Sequence, residues 1–139
     1  MNKLGDLSCN EFLTELASAA PAPGGGGGAA MAGALAAALA SMVANLTIGK
    51  EKFADREPEV KELLKQAEAE RVRLLQLADD DAAVFNSFMS CYKLPKTTDE
   101  EKAARTAAIR AAAKQAATVP LNIARSSFAV LKLADRLVV

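Results

Sequence analysis

The chain contains no histidine and no tryptophan, a single tyrosine and only two cysteines. Without histidine there is no imidazole to serve as general base, no His-ligated zinc site and no His-dependent nucleophile triad. Cys9 and Cys91 stand far apart with no CxxC pair, so they suggest no metal site. In a chain without a secretory signal they read as free thiols, and the expected location is the cytoplasm. The 17 Lys and Arg residues balance the 17 Asp and Glu residues, which leaves no basic footprint for nucleic acid. No stretch alternates convincingly with the period of a strand, and no internal repeat is evident. The remaining material is 139 residues, 51% hydrophobic, enough to build one domain over residues 1–139 around a core of its own.

The most distinctive stretch is Pro21 to Lys50. It opens with two prolines and five consecutive glycines, Gly24 to Gly28, and continues almost entirely in Ala, Leu, Met and Val. Between Ala29 and Ile48 only Ser41, Asn45 and Thr47 carry polar side-chain atoms. Gly33 lies one turn in, and Gly49 stands where a helix ends. A helix apolar on every side is expected to be buried on every side. The stretch is therefore predicted to be the Ala-rich central helix of an all-α bundle, entered through a bare glycine loop. A membrane span is the rival, since about 20 apolar residues cross a bilayer. Alanine contributes little transfer energy, however, and no aromatic or basic cluster marks the upstream interface. Asn45 would also need a partner inside lipid. The reading is a protein without membrane contact.

Around this stretch the helix signals are legible. Ser8 and Glu11 have the spacing of a capping box, flanked by Leu7 and Phe12 as a hydrophobic staple. Phe12, Leu13, Leu16 and Ala20 then recur at helical spacing until Pro21. Pro58 suits the first turn of a long helix whose apolar stripe runs from Val60 to Tyr92 and stops at Leu94-Pro95. Thr98 and Glu101 form a second capping box, opening an Ala-rich helix to about Thr118. Pro120 is expected to kink or break it before a last amphipathic segment.

Candidate functional groups follow from this frame. Asp79, Asp80 and Asp81 are consecutive, but at 100° per residue only Asp81 falls within about 40° of the stripe direction of Ala78 and Phe85. A carboxylate facing a core is costly unless paired, hydrogen-bonded or lining a cleft. Such a group suits accepting and returning a proton, and the alternative is a structural Asp paired with Arg or Lys of another helix. Arg71 lies on the same stripe but about 15 Å away along the axis, too far to be a direct partner within one chain, although an antiparallel neighbour could bring the two together. Exposed N–H groups in the glycine run could bind an anion or oxyanion, and the alternative is a flexible connection. Lys50, Lys93 and Lys96 sit near helix ends, where solvated cations are ordinary. Asn45 reads as a buried hydrogen-bonding residue.

Several ordered blocks resemble the cyclodeaminase/cyclohydrolase family of folate enzymes. They are Phe12-Leu13 through Leu16-Ala17, Pro23-Gly24-Gly25-Gly26, Ala32-Gly33-Ala34-Leu35 and Met42 through Lys50. Asp81 with Ala83 and Phe85, then Tyr92-Lys93-Leu94-Pro95-Lys96, form the last blocks. The resemblance implies an all-α homodimer acting on tetrahydrofolate derivatives with no metal or further cofactor. The activity it implies is hydrolysis of 5,10-methenyltetrahydrofolate to 10-formyltetrahydrofolate. Ammonia-releasing cyclisation of formiminotetrahydrofolate is the alternative, as is a non-catalytic helical association module derived from such an enzyme. Asp81 matches the family's acidic position and would be the general acid/base. Gly24, Gly25 and Gly26 would contact the ligand by their backbone, and Lys50, Lys93 and Lys96 would meet its glutamate carboxylates. Family members continue past the position of Val139, so the resemblance implies a C-terminally shortened form in which Leu133, Leu137 and Val138 are exposed.

Overall fold

The structure, a computed structural model, describes residues 3–138. Four α-helices carry the fold: α1 (Cys9–Leu16), α2 (Gly25–Thr47), α3 (Glu57–Cys91) and α4 (Asp99–Leu137). Short 3-10 segments at Leu4–Asp6 and Glu51–Arg56 precede α1 and α3, and no strand occurs among the described residues.

Both capping boxes form as the spacing predicts. At α1 the Glu11 N–H donates to Ser8 Oγ at 3.2 Å, and the Ser8 N–H donates to Glu11 Oε2 at 2.9 Å. At α4 the Glu101 N–H donates to Thr98 Oγ1 at 3.2 Å, and the Thr98 N–H donates to Glu101 Oε2 at 3.1 Å. Each box satisfies N–H groups that a helix start leaves without partners. α1 ends at Leu16, short of the expected stop at Pro21. Ser18 is the reason: its N–H and its hydroxyl both donate to the Glu15 carbonyl, and its Oγ accepts from the Ala20 N–H. Gly49 closes α2 with φ of 79°, the left-handed conformation that favours glycine at a helix C-terminus.

α3 runs antiparallel to both α2 and α4, and the core lies along its length in two parts. Toward the start of α2, Ala30, Ala34 and Ala37 meet Leu74, Ala78 and Ala82 of α3 and Val119, Ile123 and Val130 of α4. Leu4 and Phe12 close this part from the N-terminal side. Toward the end of α2, Ala40 and Ala44 meet Val60, Leu63 and Ala67 of α3 and Leu133 and Leu137 of α4. The face of α2 turned inward is small throughout, so its neighbours approach closely. At Gly33 a methyl group would stand 2.9 Å from Ser127 Oγ and 3.2 Å from Leu74.

Several expectations are corrected here. α2 is not buried on every side: Leu35 and Leu46 are each 64% exposed, and Leu39, Met42 and Val43 accompany them on the outward face. The inward face alone is enough to pack the helix, because α3 and α4 occupy one side only. Asn45 is exposed rather than buried. The glycine run is not a loop, since Gly25 to Gly28 form the first turn of α2 with Gly24 as its N-cap residue. Pro120 lies inside a continuous helix, which the packing of Val119 and Ile123 on either side of it holds together. Leu133 and Leu137 are buried between α2 and α3, and Val138 alone of that group is exposed. Cys9 and Cys91 are free thiols, as expected.

α2 is long and apolar enough to cross a membrane by length and composition, yet eight of its residues are buried against the other helices. Beyond Ala82 of α3 and before Val119 of α4 no described residue is buried. These parts of the two helices leave the three-helix body as an antiparallel arm. The body is braced by polar contacts as well. Arg136 of α4 donates to Glu59 of α3 at 2.8 Å, and this bond together with Arg56 holds the Glu59 carboxyl below its ordinary range.

Leu74 is fully buried where all three long helices meet. Leu74→Ala is expected to cost about 2–5 kcal/mol through lost burial and a residual cavity. Urea unfolding followed by far-ultraviolet circular dichroism measures this as a lower midpoint with little change in slope.

Candidate active site

A helix start exposes its first N–H groups, and an N-cap side chain normally accepts from one of them. Gly24 has no side chain, so α2 cannot cap itself. The acceptor comes from α3 instead: the Gly27 N–H donates to Asp81 Oδ2 at 3.0 Å. Asp81 reaches this position because its place on the α3 stripe turns it toward α2, next to the buried Ala78 and Ala82. The carboxylate also lies hard against the Gly26 backbone. A methyl group at Gly26 would fall inside the van der Waals surface of both Asp81 oxygens, while one at Gly25 would meet nothing within 4 Å.

The other two aspartates have local tasks. Asp79 accepts from the Leu4 N–H at 2.7 Å and ties the N-terminal segment to α3, and Asp80 accepts from Gln76 at 2.9 Å. Arg71, which shares the stripe of Asp81, is engaged elsewhere. Its guanidinium donates to Glu68 at 2.8 Å, and Glu68 also accepts from Ser41 of α2 at 2.7 Å. Arg71 first and Ser41 second hold the Glu68 carboxyl below its ordinary range. Asp81 is thus paired with backbone at a helix N-terminus, and the Arg or Lys partner considered for it is not found among the described residues.

Asp81 opens onto a cleft of about 310 Å³ lined by Pro21, Ala22, Gly24, Gly25, Gly26, Ala82 and Phe85. Among the described residues no group accepts from the N–H of Gly25 or Gly26. The cleft therefore presents a carboxylate, two backbone donors at the positive end of a helix, and an aromatic wall. This set can move a proton at one atom and stabilise negative charge developing at its neighbour. Two other grooves are larger, about 540 Å³ between α2 and α4 and about 360 Å³ between α3 and α4. The first is lined by aliphatic side chains; in the second, Arg136 is already engaged by Glu59. Neither includes an open helix start.

The fold brings Asp81, Gly24, Gly25 and Gly26 together and leaves the three lysines outside the cleft. Lys50 follows the far end of α2, about 35 Å away along the helix axis. Lys93 and Lys96 lie at the tip of the arm, Lys93 about 18 Å beyond Asp81 along α3. The sequence marks Phe85 as a stripe residue and as part of the block that follows Asp81 but assigns it no contact with a ligand; its position four after Asp81 places both on one helix face. Pro21 and Ala22 carry no such signal, because a loop's path is not written in periodicity. Among the described residues no group of three or more Cys, Asp or Glu side chains is arranged to hold a metal ion.

These features define a class: an all-α protein in which a carboxylate stands over the glycine-built start of a helix. Residues 8–139 match the family described as formiminotransferase-cyclodeaminase, and the chain belongs to that family. It is 49% identical over 131 residues to a methenyltetrahydrofolate cyclohydrolase of Methylorubrum extorquens, with 94% of this chain and 63% of that protein covered. It is 39% identical over 121 residues to a formimidoyltransferase-cyclodeaminase of Rattus norvegicus, with 87% of this chain and 22% of that protein covered. The chain thus spans less than two thirds of the length of either relative. The crystal structure of formiminotetrahydrofolate cyclodeaminase from Thermotoga maritima is similar with a TM-score of 0.63 at 29% identity, covering 97% of this chain and 78% of that one.

Gly26 and Gly25 give opposite expectations. Gly26→Ala displaces the Asp81 carboxylate and breaks its bond to Gly27, at a cost of about 1–3 kcal/mol. Gly25→Ala has room and restricts the unfolded chain, so it is expected to be neutral or to stabilise by about 0.4–1 kcal/mol. Thermal unfolding of the two variants side by side decides the matter, and equal midpoints would contradict the close approach at Gly26.

Proposed function

We propose that the chain carries out folate one-carbon chemistry in the Asp81 cleft, hydrolysing 5,10-methenyltetrahydrofolate to 10-formyltetrahydrofolate. The observation that carries this reading is the Asp81 carboxylate fixed by the Gly27 N–H, with the N–H groups of Gly25 and Gly26 open beside it. Its chemistry is supported by the 49% identity to a protein named methenyltetrahydrofolate cyclohydrolase.

Water adds to the methenyl carbon to give a tetrahedral centre, and the carbon–N5 bond then breaks. One proton of the water ends on N5 and the other leaves to solvent. In this reading Asp81 accepts the first proton and delivers it to N5, work for which a positioned carboxylate is suited. The Gly25 and Gly26 N–H groups stabilise negative charge as it develops on oxygen. No metal or further cofactor is assigned. The similarity to the cyclodeaminases favours a second reaction at the same groups. There N10 attacks the formimino carbon of formiminotetrahydrofolate, and the tetrahedral centre expels ammonia after a proton reaches the leaving nitrogen.

The reading includes a cytoplasmic homodimer that takes a folate and has neither nucleic acid nor a membrane as partner. The outward face of α2 supports the dimer: Leu35, Leu39, Met42 and Leu46 form an aliphatic stripe that one chain leaves open to water. A non-catalytic association module would present the same stripe, and activity separates the two.

Asp81→Asn keeps an acceptor for the Gly27 N–H and so is expected to keep the fold, while removing the proton carrier. Turnover should fall by about 10²–10⁴-fold, read as slower loss of the methenyltetrahydrofolate chromophore above its spontaneous hydrolysis. Normal turnover in this variant would remove Asp81 from the mechanism. Leu39→Glu is expected to convert a sedimenting dimer to monomer, and an unchanged sedimentation coefficient would move the interface off α2.

A further inference from the structure

The arm of α3 and α4 carries a second pattern, which the Asp81 chemistry does not use. Along α3, Asp81, Phe85, Phe88 and Tyr92 fall within about 60° of one another around the helix axis. Phe85 is 37% exposed and Tyr92 is 46% exposed, in a part of the molecule where no described residue is buried. Core packing therefore does not account for this aromatic ridge. Phe88 meets Tyr92 edge to face with centroids 5.4 Å apart, which steadies the Tyr92 ring.

At the far end of the ridge stands Arg105 of α4. Its guanidinium lies 5.4 Å from the centroid of the Tyr92 ring, and its Nη2 donates to the Tyr92 carbonyl at 3.3 Å. Its Nε is buried and has no acceptor among the described residues. No described carboxylate pairs with Arg105, Lys93 or Lys96. Three cations thus gather at one end of an aromatic ridge whose other end is the reacting carboxylate, about 17 Å away along α3.

We infer that this face of the arm is the bed on which the ligand lies, with Phe85 as the wall for its aminobenzoyl ring and Arg105 as the principal anchor for its anionic end. The inference rests on the folate reading of the cleft and adds the residues that hold the molecule in register. With the one-carbon unit beside Asp81, the aminobenzoyl ring lies against Phe85, the glutamate passes Tyr92 to reach Arg105, and the pteridine extends from Asp81 to the side away from the ridge. Lys50, at the far end of α2, has no part in this arrangement within one chain.

The test is equilibrium binding of two unreactive probes to the protein and its variants, with circular dichroism to verify folding. One probe is 5-formyltetrahydrofolate; the other is a 5-formyltetrahydropterin without the aminobenzoylglutamate. Arg105→Gln is expected to weaken the folate about tenfold and to leave the pterin unchanged. Phe85→Leu, which keeps apolar bulk without a ring, is expected to weaken the folate about tenfold and to leave the pterin unchanged, and Phe85→Tyr to restore folate binding. Equal loss of both probes in either Arg105→Gln or Phe85→Leu, or undiminished folate binding in either variant, overturns the assignment. Equal loss in Phe85→Tyr and Phe85→Leu overturns it as well. If the unaltered protein hydrolyses methenyltetrahydrofolate while these contrasts fail, only the ligand bed is wrong. If it binds neither probe, the folate reading of the cleft falls with it.

Discussion

The closeness with which α2 can approach its two neighbours sets the rest of this structure. Its inward face is Ala, Gly and Ser from Gly27 to Ala44, so helix backbones rather than long side chains determine the spacing. Larger residues there would push α3 and α4 outward. Two consequences follow from the short spacing. The core is made largely from residues on α3 and α4, with Leu63 and Leu74 filling the space that alanine leaves. A short aspartate on α3 can also touch the first turn of α2, which a wider interface would place beyond its reach.

That contact gives Asp81 a structural task beside the chemistry proposed for it. It accepts from the third N–H of a helix with no capping side chain, and its negative charge lies at the positive end of the helix dipole. A glycine is required opposite it, because any β-carbon on Gly26 would occupy the space of the carboxylate. The remaining glycines leave two N–H groups uncovered beside the acid. Without imidazole in the chain, a carboxylate and backbone donors are the groups from which an acid–base site is most directly made. The fold supplies both by setting one helix start against the middle of another.

Periodicity made the four helices and the inward direction of Asp81 legible, and cap residues marked the starts of α1 and α4. It could not show that α2 has two different sides. Ala, Leu, Met and Val all count as apolar, and only size separates the inward Ala30, Ala34 and Ala37 from the outward Leu35, Leu39 and Met42. Glycine disfavours helices by about 1 kcal/mol per residue, so the glycine run points to a loop. Here the close approach of Asp81, Pro23 and Leu16 offsets that preference. Pro120 points to a break for a similar reason. The tertiary contacts of Val119 and Ile123 outweigh the single backbone bond it removes. The separation of Lys50 from the cleft needed the antiparallel order of the helices, which no local pattern contains.

Two of the apolar surfaces left open on one chain differ in chemistry in a way that suits them to different occupants. The outward face of α2 is aliphatic, with branched and thioether side chains and no charged side chain from Gly25 to Thr47. Such a surface gains by excluding water over a broad area and offers nothing that selects a small polar molecule. The face of the arm is narrower and aromatic, with unpaired cations at one end and a carboxylate at the other. Aromatic rings favour a planar partner, and fixed charges at a set separation favour a ligand with complementary groups at that separation. The first surface therefore suits another protein face, and the second suits one elongated anion that carries a flat ring. A shared helix start joins them, since α2 presents its aliphatic stripe along its length and its glycine turn to the ligand cleft.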